Sequence, residues 1–184
     1  MLEGKILVID DNKGVLSALE LLLQSEFKTI TTISNPNKIT SITNLKEYDI
    51  ILLDMNFSAG VNTGNEGFYW LKRIKEIAKD ASVIMITAHG DVEMAVRSLK
   101  EGALDFVLKP WDNTKMLATI KAAYKLVNSR RQISALTLKE KNLKQIINQY
   151  QKEIIGNSSA ITDVLKVTRK VATTDANILI TGEN

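Results

Sequence analysis

Asp49-Ile50-Ile51-Leu52-Leu53-Asp54-Met55-Asn56 is the stretch on which the fold turns. Four apolar residues in a row run straight into a carboxylate. A continuous apolar run of this length reads as a strand covered on both faces, as in a parallel sheet. Asp54 then ends the strand at its C-terminal side, where open α/β sheets carry their chemistry. A lone aspartate there has two readings, a cap for the next turn or a catalytic or metal-binding carboxylate. The flanking sequence decides between them.

Working outward, Lys5-Ile-Leu-Val-Ile9 is a second apolar run, and it too meets acid at Asp10-Asp11. Asn12 is placed to cap a helix with Leu16, Leu19, Leu22 and Leu23 on one face. Lys28 to Ile33 is β-branched and reads as a strand. Asn35-Pro36 opens a predicted helix ending near Leu45. Beyond the central strand, 48–54, the segment from Asn56 to Glu66 is polar and rich in Gly and Asn, hence a loop. A helix is predicted from Gly67 to Lys79, a strand over Ser82–Thr87, and a helix over Asp91–Glu101 stopped by Gly102. Leu104–Leu108 is the last strand, and Lys109-Pro110 follows it. A further helix begins near Asp112. Five strand–helix alternations within 125 residues predict a flavodoxin-like parallel sheet in the order 2-1-3-4-5 with helices on both faces. That order brings Asp10, Asp11, Asp54, Thr87 and Lys109 from four strand ends to one rim.

Composition narrows the chemistry. The chain has no cysteine and one histidine, His89, so disulfides, thiol catalysis and a multi-histidine metal site are excluded within it. The absence of cysteine fits a reducing cytosol. The start, Met1 to Lys5, lacks the basic-then-apolar pattern of a signal peptide, and no stretch approaches the ~18 apolar residues of a membrane span. A cytoplasmic protein with no membrane segment is expected. The net charge of +3 is unevenly spread. Residues 1–112 hold 12 Lys and Arg against 16 Asp and Glu, residues 113–153 hold 9 against 2, and residues 154–184 hold 3 against 3. Three balances suggest three segments with different jobs.

Three carboxylates at one rim repel unless cations join them. Lys109 supplies one positive charge, and a divalent ion would supply the rest. Ligands that are all oxygen point to Mg²⁺. Asp11 and Asp54 are placed to bind it directly, Asp10 through water, and the Asn56 backbone carbonyl would complete the protein's share. A carboxylate beside Mg²⁺, a hydroxyl and an ammonium is a site for phosphoryl transfer. Asp54 is the candidate nucleophile, with Lys109 and the Thr87 hydroxyl binding phosphoryl oxygens.

Val8-Ile-Asp-Asp-Asn12, Leu53-Asp54-Met55, Thr87-Ala88 and Lys109-Pro110 resemble the receiver domain of bacterial two-component response regulators, over residues 1–125. The resemblance implies that a phosphohistidine on a sensor histidine kinase donates to Asp54. It implies a switch in which Thr87 moves toward the phosphoryl group and an aromatic residue, here Phe106, rotates inward, altering the face of the fourth helix and fifth strand. Asn56 and His89 fall at positions that tune hydrolysis of the acyl phosphate in this family. One departure stands out. Ser58 replaces the usual proline four residues after the aspartate, and the matching glycine, Gly67, comes five residues late. The loop from Phe57 to Glu66 is then a lid, a modifier of kinase docking, or a tolerated insertion.

From Trp111 to Gln151 there is neither Gly nor Pro. Ile133, Leu136, Leu143, Ile147 and Tyr150 keep a 3-4 spacing broken at Glu140, which reads as a C-terminal coiled coil of two to three heptads over an extended helix and linker, 112–152. Leu117, Ile120, Tyr124 and Val127 keep the spacing in another register, and Arg130-Arg131 mark the shift, read as a stutter. A parallel homodimer through this linker is expected, against the alternative of one amphipathic helix lying on its own domain. Residues 153–184 read as a turn, a helix, and an apolar strand running into Gly182. From Ile155 onward they resemble the opening of the AAA+ domain of sigma-54-dependent (NtrC-type) activators. That resemblance implies a truncated regulator whose full-length form engages sigma-54 RNA polymerase and DNA. No nucleotide-loop lysine is present, so no ATP hydrolysis is expected, and the chain is read as a signalling switch, not a turnover enzyme. The alternatives are a Mg²⁺-dependent aspartyl-phosphate phosphatase, against which Asn56 stands where such enzymes carry a second Asp, and a DNA-binding or oligomerisation module carried by the basic helix.

Overall fold

The computed structural model describes residues 1–42, 44–57, 65–88, 92–150, 156, 158–174, 177–179 and 181–182. Five strands, β1 (Leu2–Ile9), β2 (Phe27–Ile33), β3 (Ile50–Asp54), β4 (Ser82–Thr87) and β5 (Asp105–Leu108), form one sheet in the order β2-β1-β3-β4-β5. Every neighbouring pair is parallel. Among the described residues five α-helices accompany them: α1 (Lys13–Gln24), α2 (Asn65–Ile77), α3 (Val92–Lys100), α4 (Asn113–Tyr150) and α5 (Ser159–Val171). The chain divides into two compact units, Met1–Ala135 and Leu136–Asn184.

The unbroken apolar strands follow from a sheet covered twice. Side chains alternate faces along a strand. Leu7, Ile9, Ile51, Leu53, Val83 and Met85 join Phe68, Leu71 and Ile74 of α2 in one core. Ile6, Val8, Ile50, Leu52, Ile84 and Ile86 join Leu16, Leu19 and Leu23 of α1 and Met116, Ile120 and Ala123 of α4 in the other. All of β3 and β4 is buried.

Local signals set the ends. Asn12 Oδ1 accepts from Gly14 N–H at 2.8 Å and Val15 N–H at 3.3 Å, capping α1. Gly102 ends α3 with φ of +99°, a conformation that only glycine adopts without strain. Asp112 Oδ1 accepts from Lys115 N–H at 2.9 Å and starts α4. The predicted helix after Asn35 is instead a 3-10 turn, Pro36–Ser41, with a second at Leu45–Glu47. Ile39, Thr40 and Ile42 are poor helix formers, and the Thr40 hydroxyl donates to the Asn37 carbonyl at 3.1 Å, a local bond that competes with α-helix.

In the first unit, α4 is fixed to the sheet by Met116 and Ile120, and Tyr124 meets Phe27 edge-on with centroids 5.5 Å apart. The stripe Leu117–Ile120–Tyr124 is therefore the side that packs on its own sheet, and Val127 follows it along the helix. After Arg131 the apolar residues face solvent: Ile133 is 64% exposed. In the second unit, Ser158 caps α5 by accepting from Ile161 N–H at 3.3 Å, and α5 buries none of its residues. The strand expected before Gly182 is absent among the described residues there, 177–179 and 181–182. A strand needs a neighbour to hydrogen-bond, and no strand pairing involves these described residues.

Gly67 places α2 against the end of β3. Its N–H donates to the Met55 carbonyl at 3.0 Å, and a Cβ there would lie 2.6 Å from Met55 Cα and 2.8 Å from Met55 O. Backbone atoms cannot give way as a side chain does. Gly67→Ala is expected to lower unfolding free energy by about 1–3 kcal/mol, despite alanine's better helix propensity. Urea denaturation measures it, and an unchanged midpoint would show that α2 is free to shift.

Candidate functional site

The register builds the rim. Ile9 pairs with Leu53, Asp54 with Ile86, and Thr87 with Leu108. Asp10, one residue past Ile9, thus falls beside Asp54, and Lys109 follows Leu108. Asp10 is fully buried and Asp54 is 5% exposed. Lys109 Nζ lies 2.6 Å from Asp10 Oδ2 and 3.0 Å from Asp54 Oδ1. Asp54 Oδ1 also accepts from Met55 N–H at 2.8 Å, and Asp10 Oδ1 from Asn12 N–H at 2.9 Å. Asp11 is exposed and offers a carboxylate oxygen within 4.8 Å of those of Asp10 and Asp54.

The charges are out of balance. Burial, then the negative charge of Asp10, push the Asp54 carboxyl from 3.8 up to about 6, against the pull of Lys109 and Met55 N–H. Burial and Asp10 likewise raise Asp11. For Lys109, burial works to lower the pKa, but its bonds to Asp10 and Asp54 outweigh it and the net shift is upward. One ammonium cannot neutralise three carboxylates, so the site has room for further positive charge. All-oxygen donors at this spacing fit a hard divalent cation such as Mg²⁺.

Of the residues singled out in the sequence, Asp10, Asp11, Asp54 and Lys109 are brought together. Thr87 is buried at the end of the neighbouring strand, and its carbonyl accepts from Lys109 N–H at 2.7 Å. Asn56 lies half-buried two residues past Asp54. Phe106 is half-buried against the core on the α2 side. His89 and Ser58 lie outside the described residues. Sequence reasoning passed over Glu66, taken only as the end of a loop. Its carboxylate accepts from Phe57 N–H at 3.1 Å, and its charge adds to the upward push on Asp11. The signal was its place directly before Gly67, which is locked to Met55. It also missed Asp49 at the other end of β3, which pairs with Arg131 of α4 and accepts from Lys5 N–H at 2.6 Å. A cleft of about 850 Å³ lies there, lined by Asp49, Ala81, Val127 and Arg131 and remote from the acidic rim.

Stability should report the Asp54 shift. Between pH 4 and 6 the folded chain holds a proton that the unfolded chain has released. The Asp54 contribution is thus complete below about pH 4 and lost as pH rises through about 6. In metal-free buffer, Asp54→Asn is expected to raise unfolding free energy at pH 7 by about 1–3 kcal/mol, with the gain vanishing below pH 4. Urea titrations across this range check it, and a destabilised variant at pH 7 would refute the charge imbalance.

Residues 6–121 match the family model described as "Response regulator receiver domain". The chain is 28% identical over 184 residues to the DNA-binding transcriptional regulator NtrC of Salmonella typhimurium, covering 100% of this chain and 36% of that protein. It is 28% identical over 182 residues to the alginate biosynthesis transcriptional regulatory protein AlgB of Pseudomonas aeruginosa, covering 99% and 38%. The chain thus spans little more than a third of the length of these relatives. Among solved structures, the N-terminal signal receiver domain of a two-component system response regulator from Bacteroides fragilis is 45% identical, with a TM-score of 0.59 over 67% of this chain and 98% of that one. NtrX from Brucella abortus shares the fold, with a TM-score of 0.66 at 23% identity over 93% of this chain and 36% of that one. With the acidic rim and Lys109 in place, these matches identify residues 6–121 as a receiver domain, and the chain as a member of the two-component response-regulator family with NtrC-type relatives.

Proposed function

We propose that Asp54 accepts a phosphoryl group from a phosphohistidine on a sensor histidine kinase, and that the linker relays this state to an AAA+ ATPase acting with sigma-54 RNA polymerase at DNA. The observation that carries this reading is the single ammonium of Lys109 held between Asp10 and Asp54, with Asp11 beside them. Lys109 Nζ and Met55 N–H both meet Asp54 at Oδ1. Oδ2 is the attacking oxygen. It forms the new bond to phosphorus while the phosphorus–nitrogen bond to the imidazole breaks, and the imidazole keeps the electron pair. A carboxyl at about 6 is mostly ionised at neutral pH, so no general base is required. Lys109 and the Thr87 hydroxyl hold phosphoryl oxygens, and Thr87 and Phe106 are the switch pair. Mg²⁺, when bound, supplies the charge that neutralises the transferring group. Asp11, Asp54 and the Asn56 carbonyl would hold it, with Asp10 acting through water.

In this reading residues 1–125 are the receiver, 112–152 the helix and coiled-coil linker, and 153–184 the start of the ATPase domain. The linker pairs two chains in parallel through side chains that stand in solvent, Leu136 at 66%, Leu143 at 51% and Ile147 at 54% exposed. Phosphorylation loosens this pairing and permits ring assembly. The chain is a switch and not a turnover enzyme. No described helix is long and apolar enough to cross a membrane.

Acetyl phosphate with Mg²⁺ is expected to label the chain once and the label to fade slowly, and Asp54→Asn to abolish labelling. Undiminished labelling of that variant would remove Asp54 as acceptor, and sustained phosphate release over many cycles would favour a phosphatase. Light scattering at micromolar concentration is expected to give a dimer that dissociates with a phosphoryl mimic. A monomer from the outset refutes the linker dimer, and an unchanged dimer refutes the release model.

A further inference from the structure

Glu66 belongs to no strand end, yet its carboxylate reaches back to the residues that follow Asp54. Phe57 N–H donates to Glu66 Oε2 at 3.1 Å. That N–H shares a peptide unit with the Asn56 carbonyl. The unit is trans, since Lys109–Pro110 alone is cis among the described residues. In a planar trans peptide the N–H and C=O point in opposite directions, so fixing one fixes the other. The flanking residues hold the unit from both sides. Met55 N–H donates to the Ile86 carbonyl at 2.9 Å, the Met55 carbonyl accepts from Gly67 N–H at 3.0 Å, and Phe57 packs partly buried against the core. Glu66 is thereby tied beside Gly67, which approaches Met55 so closely that an added Cβ would lie 2.6 Å from its Cα. A charged acceptor on the N–H also polarises the peptide and makes its carbonyl oxygen a stronger donor to a cation.

We propose that Glu66 is a positioning residue for the cation site, aiming and polarising the Asn56 carbonyl toward Mg²⁺ through the Phe57 N–H. The inference rests on the Mg²⁺-dependent reading of the acidic rim given above. The competing role is purely local, because Glu66 lies in the first turn of α2, where any carboxylate favours the helix. A helix-start role moves stability and leaves cation affinity alone.

The test is Mg²⁺ binding to the whole chain, without phosphodonor, by calorimetry and by the fluorescence of Trp70, which lies in α2 with Glu66. Removing a partner that orients a ligand weakens metal binding about tenfold, and Glu66→Ala is expected to show that loss. Glu66→Gln keeps an oxygen acceptor for Phe57 N–H without the charge, and should weaken binding only about threefold, a partial rescue. Asp11→Asn, in the same series, should remove measurable binding. Wild-type affinity in Glu66→Ala alongside lost binding in Asp11→Asn overturns this inference and leaves the cation site standing. Equal loss in the Gln and Ala variants overturns the aiming role, since charge alone would then act. Unchanged binding in Asp11→Asn overturns the reading of the rim itself.

Discussion

Two carboxylates that end adjacent strands are buried side by side, and one ammonium lies between them. The rest of the molecule serves this arrangement. Asp10 and Asp54 are held by strands with no freedom to retreat, because Ile6–Ile9 and Ile50–Leu53 are fully buried on both faces. Lys109 arrives from beyond β5, three places from β1 in the sheet, and its ammonium still reaches Asp10. Burial first, and then the like charge of Asp10 forced beside it, leave Asp54 with a raised pKa. A site in this condition gains from added positive charge.

The long helix changes its surroundings at Arg130–Arg131. Before it, Met116, Ile120 and Ala123 complete a core shared with α1. After it, the apolar residues stand in solvent. The shift in apolar register has a plain cause in this structure. The first stripe must meet a sheet and the second need not, so each follows its own phase.

Most of this was legible in the sequence, for reasons that differ by element. Ile50–Leu53 and Val83–Ile86 could be read because double burial removes alternation and leaves an unmistakable apolar block. The rim residues could be read because parallel topology forces strand ends to one side, so Asp10, Asp54 and Lys109 needed only the strand order. The segment after Asn35 differs from the expected α-helix because its Pro and Asn signals also open 3-10 turns. The described residues before Gly182, 177–179, are in no strand, because apolar, β-branched composition says nothing of whether a neighbour exists. Glu66 and Asp49 were passed over because their partners, Phe57 N–H and Arg131, are set by tertiary packing and leave no periodic trace.

Asp49 marks where the receiver physically ends. Its carboxylate is 4% exposed, and Arg131 and Lys5 N–H are its partners. The family match stops at residue 121, while the first compact unit runs to Ala135. A fragment cut at the end of the family match would leave a buried anion without its guanidinium and expose the cleft that α4 walls. The Asp49–Arg131 contact lies past the end of the family match, so fragments for solution work are best divided after Ala135, where the first compact unit ends.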